Sequence, residues 1–159
     1  MVIFINGSIN SGKTTIANLL KTKIPDCAHV EIDDLHSMID WMPLTPSIPI
    51  NLVNAASLIN NFIHRKLNCI VTYPLGKDDY KIITKDLVGD DKLFFVTLNP
   101  KLDVALSNRG RELTGWEKER IKYHYETGIN NPGFGIIIDN SNQTPEETVE
   151  MILSKINEK

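Results

Sequence analysis

Gly7-Ser8-Ile9-Asn10-Ser11-Gly12-Lys13-Thr14 fills every fixed position of the pattern G-x-x-x-x-G-K-[ST]. The apolar run Val2-Ile3-Phe4-Ile5 precedes it and reads as a strand. Ile16, Leu19, Leu20 and Ile24 follow at helical spacing. Strand, glycine loop and helix together are the context in which this pattern cradles phosphate. Gly7 and Gly12 allow backbone angles that a side chain forbids. The loop N–H groups converge on an anion, with the positive end of the next helix behind them. Lys13 then reaches the outer phosphates, and the Thr14 hydroxyl is placed for Mg²⁺. Gly7, Asn10, Ser11, Gly12, Lys13, Thr14 and Thr15 are therefore the candidate nucleotide-binding residues.

Working outward, Pro25 stops the first helix. His29-Val30-Glu31-Ile32-Asp33 alternates as a second strand ending in the acidic pair Asp33-Asp34, and a short helix follows through Leu35, Met38 and Ile39. Pro43, Pro46 and Pro49 predict a rigid apolar loop over 43–49. Helical spacing resumes from Asn51 to Lys66. Cys69–Tyr73 reads as a buried strand, Tyr80–Val88 as an amphipathic helix, and Leu93–Leu98 as another buried strand. Asn99-Pro100 opens a helix through Leu106, and Trp116–Thr127 is helical after a polar stretch broken by Gly110 and Gly115. Gly135–Asp139 is the last strand. Thr144-Pro145-Glu146-Glu147 starts the last helix with a cap, a proline at the first position and a glutamate at the third. The central strands lack polar alternation, as in a parallel sheet covered on both faces. The expectation is one α/β domain over residues 1–159, three layers deep, with a short lid at about 109–118.

With 159 residues, 42% hydrophobic and 23% charged, the chain is long enough for a full core. A net charge of −3 gives no sign of a nucleic-acid or anionic-membrane partner. No apolar run approaches the roughly 20 residues of a membrane span. The first strand leaves no room for a signal peptide, and Cys27 and Cys69 read as reduced thiols; a cytoplasmic location is expected.

Absent motifs narrow the class. No N-K-x-D occurs, and the D-x-x-G match Asp86–Gly89 lies at a helix end, which argues against a GTP switch. The strand ending Thr72-Tyr73-Pro74 lacks the acid of motor-type ATPases. A small kinase remains, moving the γ-phosphoryl onto a hydroxyl. It needs an acid beside the acceptor, cations around the phosphoryl and a wall against water. Asp33, at the carboxyl end of a strand, is the candidate acid; Asp34 beside it is a helix cap or a pocket residue. Arg109 and Arg111 are candidate lid cations, Arg111 acting on the phosphoryl in transit, with Arg120 next. Trp41, Met42 and Ile48 with the proline segment form the candidate acceptor wall, joined by His36 and Tyr73. Asn142, Gln143 and Thr144 lie where an adenine could sit.

These features resemble the small phosphate-loop kinases built like shikimate kinase and gluconate kinase, and within them the chloramphenicol phosphotransferase and tunicamycin-resistance type. The residues that carry the resemblance are Ile5-Asn6-Gly7 with Ser11–Thr14, Ile32-Asp33-Asp34-Leu35, the strand end Val71–Leu75, the arginine stretch from Arg109, and Asp139 with Thr144–Glu147. The resemblance implies a five-stranded parallel sheet in the order 2-3-1-4-5, ATP and Mg²⁺ as donor, Asp33 acting on the acceptor hydroxyl, and Arg109 over the adenine or phosphates. Residues 25–64 contain no Lys or Arg, unlike shikimate kinases, which hold a carboxylate there; Asp26, Glu31, Asp33, Asp34 and Asp40 stand in that segment. A neutral or cationic acceptor is expected: a sugar, a nucleoside-like compound or an antibiotic-like one, so that antibiotic resistance is one role within reach. Two alternatives stay open: a nucleotide-binding regulatory module without transfer, and a slow NTPase with water as acceptor.

Overall fold

A computed structural model describes residues 1–89 and 92–158. Its centre is strand β1 (Val2–Gly7), every residue of which is buried. Around it stand β2 (Cys27–Glu31), β3 (Asn68–Thr72), β4 (Leu93–Leu98) and β5 (Ile136–Ile138). They form one parallel sheet in the order β2-β3-β1-β4-β5. Ile3 pairs with Ile70 and Phe94, and Ile5 with Thr72 and Val96, so β1 is held on both edges.

Alternation along β1 splits the core. Val2 and Phe4 face one side, where α2 (Ile32–Ser37), α3 (Leu44–His64) and α4 (Lys77–Thr84) bring Leu35, Leu52, Ile59 and Ile83. Ile3 and Ile5 face the other, against Ile16 and Leu20 of α1 (Lys13–Lys23) and Val149, Ile152 and Ile156 of α7 (Pro145–Asn157). Each fully buried Ile or Leu contributes about 1.5–3 kcal/mol, so both faces must be covered for the sheet to persist. The helices α5 (Leu102–Leu106) and α6 (Gly115–Glu126) lie between β4 and β5 in sequence.

Three boundaries depart from sequence expectation. The proline segment is not a loop: α3 starts at Leu44 and carries Pro49 inside it. Pro46 sits in the first turn, where no N–H partner is needed. At Pro49 the carbonyl it orphans, on Thr45, is on an exposed residue, while Ile48 and Leu52 anchor the same turn to the core. The second strand ends at Glu31 rather than Asp33. Ile32 opens α2, which places Asp33 and Asp34 in that helix's first turn, where carboxylates face the positive helix end. The helix expected from Tyr80 begins at Lys77, because the Asp79 carboxylate accepts the Gly76 N–H at 2.9 Å and caps it, and it ends at Thr84. Thr144 caps α7 as expected, accepting the Glu147 N–H at 3.1 Å. Among the described residues no helix is long and apolar enough to cross a membrane.

Candidate active site

The turn from β1 into α1 is shaped by backbone that tolerates little change. Gly7 has φ +147°, and a Cβ there would stand 2.6 Å from both the Leu98 carbonyl and the Ser11 Oγ. Gly12 caps α1 in the left-handed region at φ 96°. Asn10 is also left-handed, at φ 63°, which asparagine accepts better than most residues. Its amide donates to the carbonyls of Ala105 (2.8 Å) and Ser107 (3.0 Å), tying the loop to the end of α5. Arg109 donates to the Asn10 carbonyl at 3.2 Å, and the Asn140 amide to the Ser11 carbonyl at 3.0 Å. Below the loop Asn6 is fully buried. It donates to Thr97 Oγ1 and the Ile129 carbonyl and accepts from the Leu75 N–H. That one side chain holds together the strand ends that frame the site.

Lys13 is buried, and its ammonium donates to the Ser8 carbonyl at 2.8 Å. Burial pulls its pKa down to about 8, against the upward pull of Asp33 and Glu31. A lysine so placed is short of counter-charge and is poised to take an anionic ligand.

Sequence reasoning gave Glu31 no role, and the structure brings it to Thr14. The Thr14 hydroxyl donates to Glu31 Oε2 at 2.8 Å. Burial raises the Glu31 pKa, opposed by hydrogen bonds from Thr14 and Thr72, while Asp33 adds to the rise and Lys13 lowers it. Glu31 ends β2 beside β3, and strand ends line the crevice in such sheets; a strand run on to Asp33 passes over it.

Two cavities open on either side of the loop. One of about 490 Å³ is bordered by Gly12, Thr15, Arg109, Asn140, Gln143 and Pro145. The other, of about 600 Å³, is bordered by Glu31, Asp33, His36, Tyr73, Asp79 and Arg120, with Leu44, Ile48, Pro74 and Trp116 as apolar wall. Asn10, Lys13, Thr14 and Arg111 border both. Of the expected pocket residues, Asp33, His36 and Tyr73 meet in the second cavity. Asp34 lies outside its lining, as does Trp41, which is 76% exposed.

His36 is fixed on both ring nitrogens: Nε2 meets the Tyr73 hydroxyl at 2.9 Å, and Nδ1 meets Ser47 Oγ at 3.0 Å. Burial lowers the His36 pKa and raises that of Tyr73, so both are neutral near pH 7. Arg111, also on this cavity, pairs with Glu117 at 2.6 Å, and Glu117 accepts from the Thr114 N–H at 2.8 Å as the partner of that cap residue at the start of α6. Arg120 lies over the Tyr123 ring, 4.8 Å from its centroid. Helix α6 thus delivers a guanidinium to the second cavity from outside the base-free segment 25–64, a placement that depends on tertiary structure.

No protein-family model matches the chain, and no curated protein matches it. Among solved structures it is similar to a sugar kinase from Janibacter sp., at 20% identity and a TM-score of 0.75 over 98% of this chain and 94% of that one. It is also similar to a gluconokinase from Sinorhizobium meliloti, at 17% identity and 0.68 over 99% and 91%. A third is a tunicamycin resistance protein from Deinococcus radiodurans, at 19% identity and 0.61 over 98% and 94%. The fold is therefore that of the phosphate-loop kinases, with the sheet order the resemblance implied.

Proposed function

We propose that this chain is a phosphotransferase that moves the γ-phosphoryl of ATP onto a hydroxyl of a small molecule. The observation that carries this is the pair of cavities meeting at Lys13, Thr14 and Arg111. A donor in the first cavity and an acceptor in the second would face each other across these residues, and such positioning is most of what phosphoryl transfer asks of a protein. Lys13 and Arg111 are the cations for the charge on the transferring group. Asp33 borders the acceptor side and is the group to take or orient the hydroxyl proton. Arg109, already against the loop, belongs to the donor side with Gln143, and the segment 109–118 is the lid of this reading.

The residues present also fit Mg²⁺. Thr14 and Glu31 put a hydroxyl and a carboxylate 2.8 Å apart beside the loop, both oxygen ligands of the kind this ion takes. Bound there, the ion would supply positive charge to the phosphate oxygens.

The acceptor of this reading is a small neutral or cationic molecule with a hydroxyl, sugar-like, nucleoside-like or antibiotic-like. Glu31, Asp33, Asp79 and Glu117 border the second cavity against Lys13, Arg111 and Arg120. Lys13 serves the phosphates and Arg111 is held by Glu117, which leaves Arg120 alone against the remaining acids. A screen of ATP consumption over sugars, nucleosides, aminoglycosides and sugar acids tests this. Turnover with a neutral or cationic member, falling at least about a hundredfold in Asp33→Asn, is the expected result. Preference for a sugar acid would overturn the acceptor class, and phosphate release that ignores every added compound would replace the transferase with an NTPase.

A further inference from the structure

The mechanism above leaves His124 unused. It sits near the end of α6, is 2% exposed, and borders the second cavity. Its Nδ1 lies 3.1 Å from the Oγ of Ser8, itself fully buried within the glycine loop. Ser8 is also the residue whose carbonyl receives the Lys13 ammonium. We propose that His124 is a positioning residue for the phosphate loop: its imidazole clamps Ser8, and through Ser8 sets the resting place of Lys13.

A second tie makes the clamp rigid. The Ile129 N–H donates to the His124 carbonyl at 3.0 Å, and the Ile129 carbonyl accepts from Asn6 at 2.7 Å. The end of α6 is therefore fastened to β1 and to the loop at adjacent points. At its other end the same helix carries Glu117, which holds Arg111, and then Arg120. One helix of 12 residues thus links Arg120, and Arg111 through Glu117, to the loop proposed to hold the phosphates.

The chemistry of the ring suits the task. Burial, with Arg120 and Lys13 nearby, brings the His124 pKa down to about 4, so the ring is neutral in ordinary buffers. A neutral imidazole can bond a hydroxyl in either tautomer without adding charge beside Lys13. Neither Ser8 nor His124 is marked by the loop pattern, which leaves position 8 free; only the folded chain brings residues 8 and 124 together.

This inference rests on the loop being a nucleotide site, and ADP titration calorimetry separates the two. Wild-type protein binding ADP supports the site. On that background His124→Phe, which keeps a ring but no nitrogen, weakens ADP binding by about tenfold, the scale of one buried hydrogen bond. His124→Asn, whose amide reaches the Nδ1 position, stays within about twofold of wild type. The pair Ser8→Ala with His124→Phe is no weaker than His124→Phe alone, because both changes remove one bond. A histidine that only packs would lower the melting temperature of both His124 variants and leave ADP affinity unchanged; that result overturns the proposal. Ser8→Ala reads the same bond from the loop side if His124→Phe does not fold. Wild-type protein that ignores ADP would bring down the nucleotide site, and the clamp with it.

Discussion

Replacing Lys13 by methionine should make the protein more stable while abolishing its proposed function. The ammonium is buried, and its pKa stands at about 8 against an ordinary 10.5. At about 1.4 kcal/mol for each factor of ten in proton affinity, keeping that charge inside costs the fold roughly 3 kcal/mol at neutral pH. Methionine copies the unbranched stem without the charge. It also removes the bond to the Ser8 carbonyl, worth about 1 kcal/mol, but that carbonyl keeps the Ser11 N–H at 3.3 Å. The net gain is roughly 2 kcal/mol, or about 4–8 °C in melting temperature for a domain of this size. The sign follows from the protons bound. Below pH 8 both folded and unfolded states carry the proton, and the folded state bears the cost. From about pH 8 to 10.5 the folded wild type has lost the proton and the unfolded chain has not, so wild-type stability rises relative to the variant across that window. Thermal melts followed by circular dichroism at pH 7 and pH 10 should therefore show a gap that is wide at pH 7 and nearly closed at pH 10, with ADP binding lost throughout. A variant less stable than wild type at pH 7, or a gap indifferent to pH, would refute the idea that Lys13 is a strained, ligand-seeking charge.

Other expectations are simpler. Gly7→Ala places a methyl 2.6 Å from the Leu98 carbonyl at φ +147°; a loss of about 3 kcal/mol, or about 6–12 °C, is expected in thermal melts, together with loss of ADP binding. An unchanged melting temperature would mean that the turn relaxes freely. Glu31→Gln should raise the Mg²⁺ concentration needed for tight ADP binding by about tenfold while leaving metal-free binding alone; calorimetry with and without the ion decides. Glu117→Gln removes the charge that holds Arg111 while keeping the capping box of α6, so turnover with any acceptor found should fall by about tenfold with ATP affinity little changed. Equal turnover would assign Arg111 to the surface.

Much of the fold was written locally. The glycine loop with its flanking strand and helix, the Thr144 cap with Pro145 behind it, and the unbroken apolar runs of β3 and β4 each follow from short-range chemistry. Their order suffices for a parallel sheet covered on both faces. Local chemistry failed where a tertiary contact outweighed it. Pro49 reads as a helix breaker, yet α3 runs through it because Ile48, Leu52 and Ile59 are worth more in the core than one lost hydrogen bond on an exposed turn. Strand alternation points to Asp33 as the strand end; with Ile32 buried as the first residue of α2, the strand stops two residues earlier and leaves Glu31 against Thr14.

The sequence by itself determined the glycine loop between β1 and α1, because that depends on residues a few places apart. Only the tertiary structure decided which groups face it. Glu31 reaches Thr14 across 17 residues, Arg111 and Arg120 come from the segment before α6 and from α6 itself, both beyond β4, and His124 meets Ser8 across 116. Those encounters depend on which strands lie side by side and on how the end of α6 is tied to Ser8 and Asn6. A phosphate loop needs only backbone and a lysine; what surrounds the loop is set by the packing of the whole sheet.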